Sequence, residues 1–428
     1  MSGFKVTPEA ALAFGRDVYV GHGKIEVMPK VLVHGLDDVA VAYTPGVGHV
    51  VRRLMEHPEE LSQQSAKDNL VALVTDGTAV LGFGNTGPHA AIPVMEGKAV
   101  MFKMLAGIDC MPLCVSTRGP EHLVDVILAL EPSFGAFHLE DVASPGCFEV
   151  MAALEERLSV PILHDDQFGT ATVIAAGFLN ALRVTGRRPE DARVVVNGVG
   201  AAGRAAITML QAIGIGDIVA VDVGGILHRD DDLPHAHWRD VARQTNRDGL
   251  RGGLTEAMSG ADGFVGVSKS GLVSHAMVAS MAPGAIVFAL ANPEPEIMPA
   301  EALAAGAAVV ASGRFDYPNH CNNLLAFPAL MRGALDTKAR RITPTMCAAA
   351  ARAIAGLVPD GDLSPTSILP SPLDDALYPV VAEAVAQAAV AEGLARFIPP
   401  AGAVAAHTAH RRRLVALRQV ELATLSTP

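Results

Sequence analysis

Short runs of β-branched and apolar residues alternate along the chain with longer Ala- and Leu-rich segments, the pattern of an α/β fold. The clearest unit follows the polar stretch 186–192. Residues 193–197 (RVVVN) predict a strand, a glycine-rich turn follows, and 201–214 (AAGRAAITMLQAIG) predict a helix of good formers. Residues 218–225 (IVAVDVGG) predict the next strand and complete a βαβ unit. Further strands are expected at 263–268, 285–293 and 307–313, with a short helix at 299–306. Residues 1–162 read as an N-terminal domain of mixed strands and helices, 163–390 as a doubly wound, Rossmann-like domain, and 391–428 as a helical C-terminal tail. The basic cluster Arg411–Arg413 in that tail reads as a solvated helix face.

Composition narrows the function classes. Half of the 428 residues are apolar and only 18% are charged, which excludes a disordered chain. A net charge of −12 excludes bulk nucleic-acid binding, while a small anionic ligand needs only a local pocket. Five cysteines without a CxxC pair are expected to be reduced, buried thiols. The longest uncharged stretch, 270–293, contains His275, Asn292 and two prolines and suits a buried core better than a membrane span. The opening residues MSGFKVTPEAALAFG lack a charged segment followed by an unbroken apolar run, so a cytoplasmic protein without a secretory leader is expected.

Several motifs could carry chemistry. Gly198, Gly200 and Gly203, with Ala201 and Ala202 between the last two, spell GxGxxG between a strand and a helix, and Asp222 ends the next strand 24 residues after Gly198. That context fits a dinucleotide loop, with the pyrophosphate on the helix N-terminus; an ordinary glycine-rich turn is the alternative. Asp222 would accept a bond from a ribose 2′-hydroxyl and leans the reading towards NAD, while nearby Arg229 leaves NADP open. Two acidic pairs, Glu140-Asp141 and Asp165-Asp166, each end an apolar run. Adjacent carboxylates resist joint ionisation unless a cation compensates, and a hard Mg²⁺ or Mn²⁺ suits oxygen ligands; helix capping is the alternative. Tyr43 lies in a proline turn, and Lys98 in an apolar stretch is either a surface lysine or a base beside a cation. Asn322 and Asn323 could hold a carboxylate or a nicotinamide amide, or simply cap a loop.

These blocks, in this order, resemble the malic enzymes, in particular the short bacterial form. AYTPGV, VTDGTAVLGFGNTGPHAAIPVMEGKAVMFK, HLEDVASPGCFEV, HDDQFGTA, VVVNGVGAAGR, FALANPEPEI and YPNHCNNLLAFPALMRGALD carry the resemblance over about residues 20–340. It implies an N-terminal catalytic domain joined to a dinucleotide-binding domain, and oxidative decarboxylation of (S)-malate to pyruvate and CO₂ with NAD or NADP and Mg²⁺ or Mn²⁺. Lys98 then matches the base at the 2-hydroxyl, Tyr43 the acid at C3, Asp165 the neighbour that tunes the lysine, and Glu140, Asp141 and Asp166 the metal ligands. Asn292 and Asn323 match residues that contact substrate or nicotinamide. A homodimer or higher oligomer and an oxaloacetate-decarboxylating side activity are implied too.

For the base role, a lysine pKa of about 10.4 must fall, and a nearby cation would push it down. Phe168, Phe315 and His320 depart from the usual blocks, where histidine, serine and glutamine are common; Gly224-Gly225 departs as well. These departures admit a different 2-hydroxy acid with a β-carboxylate as substrate. A nucleotide-binding regulator without catalysis is the reading from another class, and the intact lysine, tyrosine and carboxylates argue against it.

Overall fold

The computed structural model describes residues 7–13 and 23–425; most of the opening stretch that bears on a leader lies outside them. Two sheets organise the chain. The first has the order β2-β1-β3-β4, all parallel, from β1 (Leu70–Thr75), β2 (Asp109–Cys114), β3 (Ala136–Leu139) and β4 (Ile162–His164). The second has the order β10-β9-β8-β5-β6-β7, from β5 (Arg193–Asn197), β6 (Asp217–Asp222), β7 (Gly225–Ile226), β8 (Gly263–Gly266), β9 (Ile286–Ala289) and β10 (Val309–Ser312). The expected strands and the helix at 201–212 are present. The two-residue β7, antiparallel to β6 at the sheet edge, has no counterpart in the sequence pattern.

Between their end residues the central strands of the second sheet are apolar, because both faces are covered. Val194 and Val196 of β5 join one core layer and Val195 the other; Ile286 and Phe288 against Val287 and Ala289 repeat this two-residue alternation on β9. The larger layer is shared between the sheets, for it also takes in Val71 of β1 and helices Thr170–Val184, Phe327–Asp336, Pro344–Gly356 and Leu377–Ala391.

The expected boundary at 162/163 falls inside β4, which pairs with β3. The chain leaves the first sheet at His164 and passes through a π-helical turn, Asp165–Gly169, into helix Thr170–Val184. The final helix, Ala403–Leu425, returns to pack on helix Pro88–Ala106 of the first domain. Their contact is close: a Cβ on Gly107 would stand 2.4 Å from Cβ of Arg411. Among the described residues, no helix is long and apolar enough to cross a membrane.

Candidate active site

Both sheets direct the carboxyl ends of their strands at one cavity of about 580 Å³. Lys98, Glu140, Asp141, Asp166, Ala202, Asn292, Asn322 and Asn323 line it; Tyr43 does not.

Lys98 sits midway along helix Pro88–Ala106, whose Ala91, Met95, Ala99 and Phe102 face the core. Its stem is buried with them and its Nζ emerges against three groups. It donates to Glu140 Oε1 at 2.6 Å and to Asp165, and it stands 4.6 Å above the Phe327 ring. Burial alone would lower the ammonium's pKa, but the charges of Asp165 and Glu140 override it and hold Lys98 above the ordinary lysine value. The two carboxylates that face Lys98 keep it ion-paired, and the lower pKa expected from sequence is the effect of a cation's charge beside it.

Asp165 is fully buried behind Lys98. Its carboxylate also accepts from Asn323 Nδ2 at 2.6 Å, which ties the loop after β10 to the first domain. The π-turn makes room for it: Gly169 is so close that a Cβ there would lie 1.7 Å from Asp165 Oδ1. Burial pushes the Asp165 carboxyl up.

Glu140, Asp141 and Asp166 bring one carboxylate oxygen each within 4.8 Å of one another. Asp141 adopts a left-handed φ of 56°, and its backbone N–H donates to Asp166 Oδ2 at 2.9 Å. Glu140 Oε2 and Asp141 Oδ2 are buried and accept no hydrogen bond. Burial, then the neighbouring Glu140 and Asp166, pushes Asp141 up to about 8; burial and Glu140 push Asp166 up to about 6. Three crowded carboxylates with unpartnered buried oxygens fit a hard divalent cation.

The glycine loop has the form a dinucleotide requires. Gly198 has φ 97°, the side of Gly200 is open, and a Cβ on Gly203 would lie 1.7 Å from Gly198 O. The helix Ala201–Ala212 begins there with no side-chain cap, leaving its first N–H groups for a ligand. Asp222 Oδ2 accepts from Val199 N at 2.6 Å and Oδ1 from Val223 N at 2.8 Å. Arg229 is engaged elsewhere, donating to Asn246 O at 3.1 Å.

The paired asparagines have different duties. Asn322 Oδ1 caps the following 3-10 turn through Leu324 N, and Asn323 reaches Asp165. Asn292 makes only a long 3.5 Å contact with Leu290 O, so its amide is available to a ligand. Sequence reasoning did not single out His138, Gly169 or Phe327. His138 is fully buried between the Phe102 and Phe327 rings, its Nε2 3.4 Å from Glu140 Oε2, and burial lowers it to about 3. The one available sign was its place two residues before Glu140 at the end of an apolar run.

A glycine loop and an acid-lined cavity between two sheets define a dinucleotide-dependent oxidoreductase. Residues 22–123 match the malic enzyme N-terminal domain and residues 168–390 the malic enzyme NAD binding domain. An NAD-dependent malic enzyme of Geobacillus stearothermophilus is 46% identical over 87% of this chain and 78% of its own length. A bifunctional malic/malolactic enzyme of Bacillus subtilis is also 46% identical, over 88% of this chain and 92% of its own. The crystal structure of malic enzyme from Pyrococcus horikoshii superposes with a TM-score of 0.92 at 41% identity, covering 98% of each chain. The chain belongs to the malic enzyme family.

Proposed function

We propose that this chain is a cytoplasmic malic enzyme that oxidatively decarboxylates (S)-malate to pyruvate and CO₂, with NAD as the preferred acceptor and Mg²⁺ or Mn²⁺ bound. The observation that carries the reading is the convergence of Lys98, Asp165 and the three-carboxylate cluster on a cavity that the glycine loop also enters. Glu140, Asp141 and Asp166 would hold the cation, which would supply Lewis acidity at the 2-oxygen, and the glycine loop would hold the dinucleotide, which would supply the acceptor for the C2 hydride.

Lys98 Nζ takes the 2-hydroxyl proton. It must first surrender its own, and Asp165 is the acceptor in contact with it. A buried carboxyl with raised proton affinity can hold that proton while the amine turns basic. Asn323 keeps Asp165 oriented, and Asn292 supplies the free amide for the substrate's carboxylate or the nicotinamide amide. Loss of CO₂ leaves an enol that needs a proton at C3, the role we assign to Tyr43.

Tyr43 is 71% exposed and lies off the cavity of its own chain. The flanking helices, Leu36–Ala42 and Gly46–Glu56, bury no side chain, and Leu36, Val41, Val51 and Met55 lie open. We assign this face to a second copy of the chain, so that a homodimer completes each cavity with the partner's phenol. NAD preference rests on Asp222, whose carboxylate, fixed by two backbone N–H groups, repels a 2′-phosphate.

The test is ultraviolet absorbance of the reduced nicotinamide with Mn²⁺ and malate, run with NAD and with NADP, and pyruvate as the assayed product. Cation-dependent reduction that is faster with NAD is expected. No reduction with either cofactor would overturn the reading.

A further inference from the structure

Two residues at which the chain departs from the usual family blocks, Phe315 and His320, touch each other. Their rings stack at a centroid distance of 3.5 Å and an interplanar angle of 31°. Both lie in the loop that leaves β10, and this loop is closed at its base: Cys321 N donates to Ser312 O at 2.8 Å, and Ser312 bridges to His320. Arg314 locks the arm next to Phe315. It grips Asp316 through two bonds of 2.9 and 2.7 Å and reaches Pro293 O at 3.4 Å, beside Asn292. The phenyl ring is thus held in place while 61% of the residue stays exposed at the cavity wall, next to Asn292 and Gly313.

The sheet order says which part of a ligand that wall meets. The glycine loop follows β5, and Asp222, the ribose-directed carboxylate, ends β6 on one side of it. A dinucleotide with its adenosine half at β6 and its pyrophosphate on the glycine loop must carry its other half over β8, β9 and β10. The cavity wall that carries Phe315 lies on that side, where the nicotinamide half would be held. His320 suits the backing position, since its ring is neutral: burial lowers it to about 4, and it adds no positive charge behind the oxidised ring.

Resting on the dinucleotide reading above, we infer that Phe315, seated on His320, is the stacking platform for the nicotinamide ring and a specificity determinant for the hydride-accepting half of the cofactor. Neither side chain takes part in proton or hydride transfer; the pair positions the ring.

The experiment is equilibrium titration of the whole protein with NADH and, separately, with ADP-ribose, which lacks the nicotinamide. Phe315→Ala is expected to weaken NADH by about three- to tenfold, the range for one lost aromatic stack, and to leave ADP-ribose unchanged. His320→Gln should weaken NADH in the same sense by less, and His320→Phe should restore it. Phe315→Leu, which keeps apolar area at this exposed position, guards against a folding defect and should fall between wild type and alanine. Equal weakening of both ligands would show a merely structural loop and overturn the proposal. Unchanged NADH affinity with an altered KM for malate would overturn it too, by assigning the wall to the substrate. A wild-type chain that binds neither ligand would overturn the dinucleotide reading itself, and this inference with it.

Discussion

If the partner copy supplies Tyr43, two inactive variants must rescue each other. Tyr43→Phe removes the acid and Lys98→Ala the base, and each homodimer should lose about two to four orders of magnitude in turnover. Equal co-expression of the two chains distributes them statistically. About half the dimers are then mixed, and each mixed dimer has one cavity with an intact Lys98 and an intact partner phenol beside one cavity lacking both, so about a quarter of wild-type activity returns. The structural premise is that Tyr43 is 71% exposed and absent from the cavity wall of its own chain. With the Tyr43→Phe chain limiting and the Lys98→Ala chain in large excess, turnover per limiting chain should approach that of wild type. Differently tagged variants, purified by tandem affinity and assayed for malate-dependent NAD reduction, give the measurement. Mixed dimers as inactive as their parents would refute the reasoning, for they would show that Tyr43 and Lys98 act within one chain.

Three further outcomes are expected. Asp141, pushed up to about 8, has a folded-state pKa above its unfolded value, so its contribution to stability is present in acid and lost as pH rises towards 8. A cation at this site must displace that proton below pH 8, so Mn²⁺ affinity should rise by up to about tenfold per pH unit between 6 and 8 and flatten above; equal thermal shifts with Mn²⁺ at both ends would contradict this. Asp222→Ala should cost about tenfold or more in kcat/KM with NAD and shrink the preference over NADP, since a charge-assisted hydrogen bond to the ribose is lost; steady-state kinetics with both cofactors decides. Arg332 is 2% exposed and pairs with Asp336 and with Asn69 Oδ1 at 2.5 Å. Asp336→Ala strands that charge and should cost about 3–5 kcal/mol in chemical denaturation, and a loss under about 1 kcal/mol would refute the account.

What could be read from sequence was local. The unit from Arg193 to Asp222 was legible because its strand, glycine loop and helix each carry their own signal within thirty residues. β4 was not assignable: two apolar residues and a histidine beside an acidic pair do not say which sheet they join, and the expected boundary cut through them. The state of Lys98 was hidden for the same reason, since Glu140 and Asp165 lie 42 and 67 residues away in sequence. Asn322 and Asn323 look equivalent in the chain, yet one caps a turn and the other crosses to Asp165. Tyr43 was visible as a motif, but no motif states that the residue is 71% exposed and absent from the cavity wall of its own chain.

The close seat of Arg411 against Gly107 bears on how the protein is made. Helix Pro88–Ala106, which presents Lys98, is covered by helix Ala403–Leu425, which is translated only after every strand of both sheets. A ribosome that still holds this late helix keeps the cover out of reach, so the sheets can form during synthesis while the lysine helix waits for its buttress. A chain ending at residue 400 keeps both sheets and helix Leu377–Ala391 but lacks this cover, so it would bind dinucleotide before it could turn over malate, and competence for catalysis would arrive only once the covering helix and a second copy were both in place.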